Sequence, residues 1–301
     1  MPTIAEKRHT FRQLHASGCF VIPNPWDVGT ARYLEHLGFK AIATTSSGAA
    51  YSMGLPDADW ALTRDPMLAH IRTIVEASDV PVNADFESGY ADDPAQVGEN
   101  VRLCVATGVA GLSIEDSTGD AARPLYEFDV AVGRIRAARA AVDRTGGDVL
   151  LVGRTEGFIC GVPDLGEAIR RLKAYAAAGA DCLYAPGIRT REQIAAVVDA
   201  VAPKPVNLLI GAPIQLTVQD AAVLGVRRIS VGGALSRAAW GAFMRAAQGL
   251  AAGTFDAFAD AASGADLNRL FADDVKRRAR DPRAGRPEER GDRGRGPHQS
   301  S

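Results

Sequence analysis

The chain has 301 residues, 47% of them hydrophobic and 23% charged, with a formal net charge of -2. That length suits one α/β barrel of roughly 250 residues plus extensions, and the near-neutral balance gives no basis for a nucleic-acid partner. No apolar run reaches the ~20 residues of a membrane-spanning helix, and the charged N-terminus "MPTIAEKRHTFRQLHASG" lacks the apolar stretch of a signal peptide, so a cytoplasmic location is expected.

Short β-branched runs alternate with longer Ala-, Leu- and Arg-rich segments of helical period, the pattern of parallel strands joined by crossover helices. In chain order the predicted strands are 19–24, 40–47, 80–87, 111–116, 149–156, 182–187, 204–211 and 227–233. Helices are predicted near 26–37, 63–77, 94–107, 129–143, 165–178, 190–201, 217–224 and 234–252. Asp92 or Asp93 caps the helix that opens with Pro94, and a Gly follows the helices in "AGADCLYAPG" and "LGVRRISVGG". Eight repeated units favour a (β/α)8 TIM barrel over residues 1–253. Residues 254–278 read as C-terminal helices. Residues 279–301, without a large apolar side chain, are expected to form a disordered basic tail.

Active sites of such barrels form where the C-terminal strand ends converge. Those ends supply Asn24, Trp26 and Asp27, then Thr44 to Gly48, Asp85 and Glu87, Glu115 and Asp116, Arg154 and Glu156, and Asn207. Four or more carboxylates in one cleft repel unless a cation intervenes. An all-oxygen donor set without His or paired Cys suits Mg2+ or Mn2+. The alternative is a set of structural ion pairs, most plainly for Asp27 and Asp116. "TTSSGAA" lacks the Lys of a P-loop but can present backbone N–H groups and a hydroxyl to one anionic group, or it is an ordinary turn. No strand end carries a His, which argues against a Ser-His-Asp hydrolase. The four cysteines form no CxxC pair and read as buried reduced thiols.

In order along the barrel, "NPWD", "SSGAA", "GLPD", "NADFESGY", "SIED", "GRTEG" and "PVNLL" resemble the isocitrate lyase/phosphoenolpyruvate mutase superfamily, over roughly residues 5 to 250. The resemblance implies divalent-metal chemistry on C–C or P–C bonds beside a 2-oxo acid or its enolate. It places Asp85 on the metal, with Asp57, Glu87 and Glu115 holding metal-bound waters. It assigns Ser47, Gly48 and Ala49 to the substrate carboxylate and Arg154 to the carboxylate or enolate oxygen. Trp26 and Asn207 are to shape the pocket. A small anionic carboxylate substrate follows, as does a homotetramer built as a dimer of dimers, with the 254–278 helices exchanged between subunits.

One departure stands out. Family lyases that cleave isocitrate or methylisocitrate carry a K-[KR]-C-G loop after the fourth strand, and here "IEDSTGDAARPLYEFD" has neither Cys nor Lys. Cys160, Tyr51, Tyr90 or a metal-bound water are the substitute acids. Three functions stay open: a Mg2+-dependent carbon–carbon lyase or decarboxylase acting on a small 2-hydroxy or 2-oxo di- or tricarboxylate; a phosphonopyruvate mutase or hydrolase using Ser117 or Thr118; and a 2-oxo acid-binding protein without efficient catalysis.

Overall fold

A computed structural model of the chain describes residues 2–58, 60–146 and 148–280. The predicted basic tail lies outside the described residues beyond Arg280. The chain divides into two compact units, one running from Pro2 to Phe255 and the other from Asp256 onward.

The first unit contains eight parallel strands: β1 Phe20–Ile22, β2 Ile42–Ala43, β3 Val82–Asp85, β4 Gly111–Glu115, β5 Leu150–Arg154, β6 Cys182–Tyr184, β7 Val206–Leu209 and β8 Arg228–Ser230. They follow one another in the order β1-β8-β7-β6-β5-β4-β3-β2. A backbone bond from the Ala43 N–H to the Pro23 carbonyl, 3.0 Å, joins the two ends of that order. The result is the predicted (β/α)8 TIM barrel.

Crossover helices α2 (Val28–His36), α4 (Arg64–Ala77), α5 (Pro94–Val105), α6 (Phe128–Arg144), α7 (Leu165–Ala177), α8 (Arg191–Val201), α9 (Val218–Val223) and α10 (Ala234–Ala251) surround it, numbered around α1 (Ile4–Ala16) and α3 (Ser46–Ser52). Their starts follow local chemistry. Asp93 accepts from the Gln96 N–H at 3.0 Å with Pro94 at the first turn, and Gly179 and Gly225 leave α7 and α9 with φ of +107° and +85°, where a side chain is strained.

Two segments depart from the sequence reading. Predicted strand 40–47 shortens to Ile42–Ala43, because Thr45 Oγ1 accepts from the Gly48 N–H at 3.3 Å and starts α3 at Ser46. The charged N-terminus forms α1 as a plug. Its Phe11 is buried inside the barrel with Ile22, Ala43, Leu150, Val152 and Cys182. Its cationic side chains reach carbonyls at the N-terminal side of the strands: Lys7 to Ser78, Arg8 to Val109 and Arg12 to Val149. A second, larger apolar layer lies between strands and helices and includes Ile71, Leu112, Ile114, Ile135, Leu172 and Val197.

Cys104 and Cys182 are buried, Cys19 and Cys160 are half-buried, and all four are free thiols. No helix among the described residues is long and apolar enough to cross a membrane. The second unit contributes a 3-10 turn at Asp256–Asp260 and α11 (Gly264–Ala279), capped by Ser263.

Candidate active site

A cavity of about 330 Å³ opens at the C-terminal ends of the strands, lined by Ser46, Ser47, Asp57, Asp85, Glu87, Glu115, Arg154 and Glu156 among others. Strand alternation produces this lining, since residues two apart on one strand face the same side. Asn83 and Asp85 on β3, Ser113 and Glu115 on β4, and Arg228 and Ser230 on β8 all point inward to the cavity.

Arg154 is its electrostatic centre. The guanidinium Nη1 lies 3.1 Å from Asp85 Oδ1 and 3.0 Å from Glu115 Oε2, while Nε donates to Glu156 Oε1. Its Cζ also sits 5.1 Å from the centre of the Tyr184 ring. Burial opposes the Arg154 charge, but Glu115 and Glu156 outweigh it and hold the guanidinium protonated. One cation does not balance three carboxylates. Burial, only partly offset by Arg154, pushes the Glu115 carboxyl well above the usual carboxylate range and raises Glu156 in the same way.

The β3 turn fixes the other acids. Asp85 Oδ2 accepts from both the N–H and the hydroxyl of Ser46 at 3.1 Å. Glu87 Oε1 accepts from the Tyr90 hydroxyl and Oε2 from the Trp60 N–H, each at 2.9 Å. Glu87 and Tyr90 adopt left-handed backbone angles, φ 46° and 56°, which non-glycine residues rarely hold away from constrained sites.

Not every sequence candidate faces the cavity. Ser47, Asp57, Asp85, Glu87, Glu115 and Arg154 line it together. Gly48 and Ala49 lie buried in the first turns of α3. Trp26 packs against Gly48, where an added Cβ meets the Trp26 Cβ at 2.8 Å. Asn207 is buried behind the wall, donating to Ser230 Oγ at 2.9 Å and accepting from Arg228 Nε at 2.7 Å. Asp27 caps α2 through the Thr30 N–H at 2.7 Å and is exposed. Asp116 is 2% exposed and accepts from Thr155 Oγ1, the Glu156 N–H, Arg171 and Tyr175. Both are structural.

Sequence reasoning passed over Asn83, Ser113, Tyr184, Arg228 and Ser230, which line the cavity below the strand tips. Polar residues at inward positions of β3, β4 and β8 were the available signal. In the segment after β4, Ser117 pairs with Leu125 in an antiparallel bridge, and Ser117 Oγ lies 3.8 Å from Cys160 Sγ at the cavity wall.

The donor set suits a hard cation of a particular kind. Among the described residues no three His, Cys, Asp or Glu side chains form a ready direct-ligand cluster. Five carboxylates nonetheless share the cavity lining, and all the candidate donors are oxygens. That spread fits a hydrated ion held directly by one or two carboxylates, as Mg2+ is usually bound, better than a closed cage.

The phosphoenolpyruvate phosphomutase family model matches residues 11–251. An oxaloacetate decarboxylase of Paraburkholderia xenovorans is 36% identical over 232 residues, 74% of each chain. A lyase/mutase crystal structure from Burkholderia cenocepacia is 48% identical with a TM-score of 0.85, covering 89% of this chain and 96% of the other. A 2,3-dimethylmalate lyase structure is 28% identical with a TM-score of 0.79, covering 93% and 98%. With these matches over the whole barrel, the chain belongs to the phosphoenolpyruvate mutase/isocitrate lyase superfamily and is one of its lyase- or mutase-type enzymes.

Proposed function

We propose that the protein is a divalent-metal-dependent carbon–carbon lyase acting on a small 2-oxo or 2-hydroxy di- or tricarboxylate, with oxaloacetate and substituted malates the first candidates. The observation that carries this reading is Arg154 held between Asp85, Glu115 and Glu156 in one cavity. Relatives named oxaloacetate decarboxylase and 2,3-dimethylmalate lyase support carbon–carbon chemistry.

Asp85, with Asp57, Glu87 and Glu115, would hold Mg2+ or Mn2+ or its waters. A bound ion supplies positive charge beside the substrate's carbonyl or hydroxyl oxygen and lowers the energy of an enolate formed there. The chain's own residues do the rest. Ser47 and the N-terminal turn of α3 receive the carboxylate next to that oxygen. Arg154 donates to the oxygen on which charge grows, and its bonds to three carboxylates fix its direction before substrate arrives. Burial raises the Glu115 and Glu156 carboxyls above the usual carboxylate range, and a cation beside them offsets that rise.

The test is turnover of oxaloacetate, substituted malates and phosphonopyruvate with and without Mg2+. Metal-dependent cleavage of a carboxylate substrate is expected, falling about 10²- to 10³-fold in Arg154→Met, the loss typical of one preorganised donor. No turnover of any carboxylate, or unchanged rates in Asp85→Ala, sinks the proposal. Ser117 at the cavity wall keeps phosphonopyruvate chemistry as the second reading, for which phosphorus NMR would show phosphate or phosphoenolpyruvate. The homotetramer expected from the family is part of the same proposal, and a monomer by sedimentation at micromolar concentration would refute it.

A further inference from the structure

Below the carboxylates the barrel interior holds a cation that the proposed chemistry leaves unused. Arg228 on β8 is 3% exposed, yet its hydrogen-bond partners are all neutral. They are Asn207 Oδ1 at 2.7 Å, Asn83 Oδ1 at 3.3 Å and His15 Nε2 at 3.5 Å. The Phe11 carbonyl, 2.8 Å from His15 Nδ1, can only accept, so Nδ1 carries the hydrogen and Nε2 offers its lone pair to Arg228. Burial, then the Arg228 charge, lowers the His15 pKa to about 3, so the ring is neutral near pH 7.

Among the described residues no carboxylate forms an ion pair with Arg228, and its Nη2 has no hydrogen bond. Buried charges are ordinarily paired, and an arginine cannot escape the cost by losing its proton. Interiors of these barrels are usually filled by Val, Ile and Leu. Here polar Arg228, Asn83, Ser113 and Ser230 take inward positions instead and line the cavity, with small Ala43 beside them. A guanidinium without an anion at the floor of an anion-binding cavity points to the ligand as its missing partner.

We propose that Arg228 binds the substrate carboxylate remote from the reacting oxygen, with Ser230 and Asn83 lining the same subsite. The protein then selects 2-oxo or 2-hydroxy acids carrying a second carboxylate over their monocarboxylate counterparts. This rests on the carboxylate-lyase reading of the site.

The probes are malate and lactate, which share a 2-hydroxy acid head and differ in the remote carboxylate. Each is titrated calorimetrically into the full chain with Mg2+, in chloride-free buffer and with added chloride. Wild type should bind malate more tightly than lactate. Arg228→Met should weaken malate about 10- to 100-fold, the range for a charge-assisted hydrogen-bonded pair, while lactate changes less than about threefold. Arg228→Lys should recover part of the malate preference, and Arg228→Gln provides the same comparison if the Met variant does not fold. Equal weakening of malate and lactate, or unchanged malate affinity in the variants, overturns the subsite while leaving the lyase reading in place. Chloride binding lost in Arg228→Met with malate affinity unchanged also overturns it, in favour of a resident inorganic anion. Failure of wild type to prefer malate over lactate overturns the subsite, while the lyase reading stands or falls on the separate turnover test with oxaloacetate.

Discussion

Replacing Asp116 with alanine removes the acceptor of four donors at once. Oδ2 takes the Tyr175 hydroxyl at 2.6 Å, Thr155 Oγ1 at 2.8 Å and Arg171 Nη1 at 3.1 Å, and Oδ1 takes the Glu156 N–H at 2.8 Å. Arg171 keeps Glu167 and the Tyr126 carbonyl, so its charge is not abandoned. Tyr175 and Thr155 are at most 1% exposed and have little access to replacement water. Each unmet buried donor costs about 1–3 kcal/mol. Losing one partner of a buried charge network costs about 3–5 kcal/mol, so we expect Asp116→Ala to destabilise the barrel by that amount. Asp116→Asn keeps one oxygen but turns an NH2 toward a donor, and about 1–3 kcal/mol is expected. Urea unfolding followed by tryptophan fluorescence measures both. Because the Glu156 N–H loses its anchor, kcat should also fall under conditions where the variant is fully folded. A loss below about 1 kcal/mol in Asp116→Ala would refute the idea that this network supports the fifth strand end.

Further perturbations separate other parts of the structure. His15 has a folded pKa of about 3 against an ordinary 6.5, so the unfolded chain takes up the proton first as pH falls. Stability should therefore decline from about pH 6.5 toward pH 3 by up to about 4–5 kcal/mol, and His15→Gln should flatten that limb; superimposable pH–stability curves would contradict this. Gly48→Ala places a methyl 2.7 Å from Thr45 Cγ2 and 2.8 Å from Trp26 Cβ, with an expected cost of about 1–3 kcal/mol from overpacking. A thermal midpoint equal to wild type would show that the start of α3 gives way freely. Tyr90→Phe removes the hydroxyl that orients Glu87, and the Mg2+ concentration for half-maximal activity should rise about 10-fold with kcat at saturation retained. An unchanged metal titration would separate Glu87 from ion binding.

The barrel was legible because each strand and helix carried its own period, and caps such as Asp93 with Pro94 marked the boundaries. The upper ring of the site was legible for a related reason: Asp85, Glu115 and Arg154 sit at strand ends, where charged residues interrupt apolar runs. What lies beneath was not. Arg228 is the second residue of "RRISVGG", directly after Arg227, and sequence alone does not say which of the two enters the barrel. Register decides it: Arg228 pairs with Phe20 and Asn207 and faces inward, whereas Arg227 reaches the Gly18 carbonyl outside the strands. Asn207 shows the complementary difficulty. The sequence placed it at a strand end, but its side chain is spent on Arg228 and Ser230. Asp116 and Glu115 are adjacent, and alternation sends one to the wall network and the other to the cavity.

The α1 plug has a kinetic consequence. Its carbonyl partners at Val109 and Val149 lie 101 and 137 residues further along the chain. Closing such loops costs entropy before the contacts form, so the helix can seat only after β5 has been added to the growing sheet. Until then Phe11, fully buried in the finished barrel, lies on the solvent-facing side of a charged, amphipathic helix. Folding therefore passes through an interval in which α1 waits undocked for strands far along the chain, and its Phe11 face is where self-association or chaperone capture would begin.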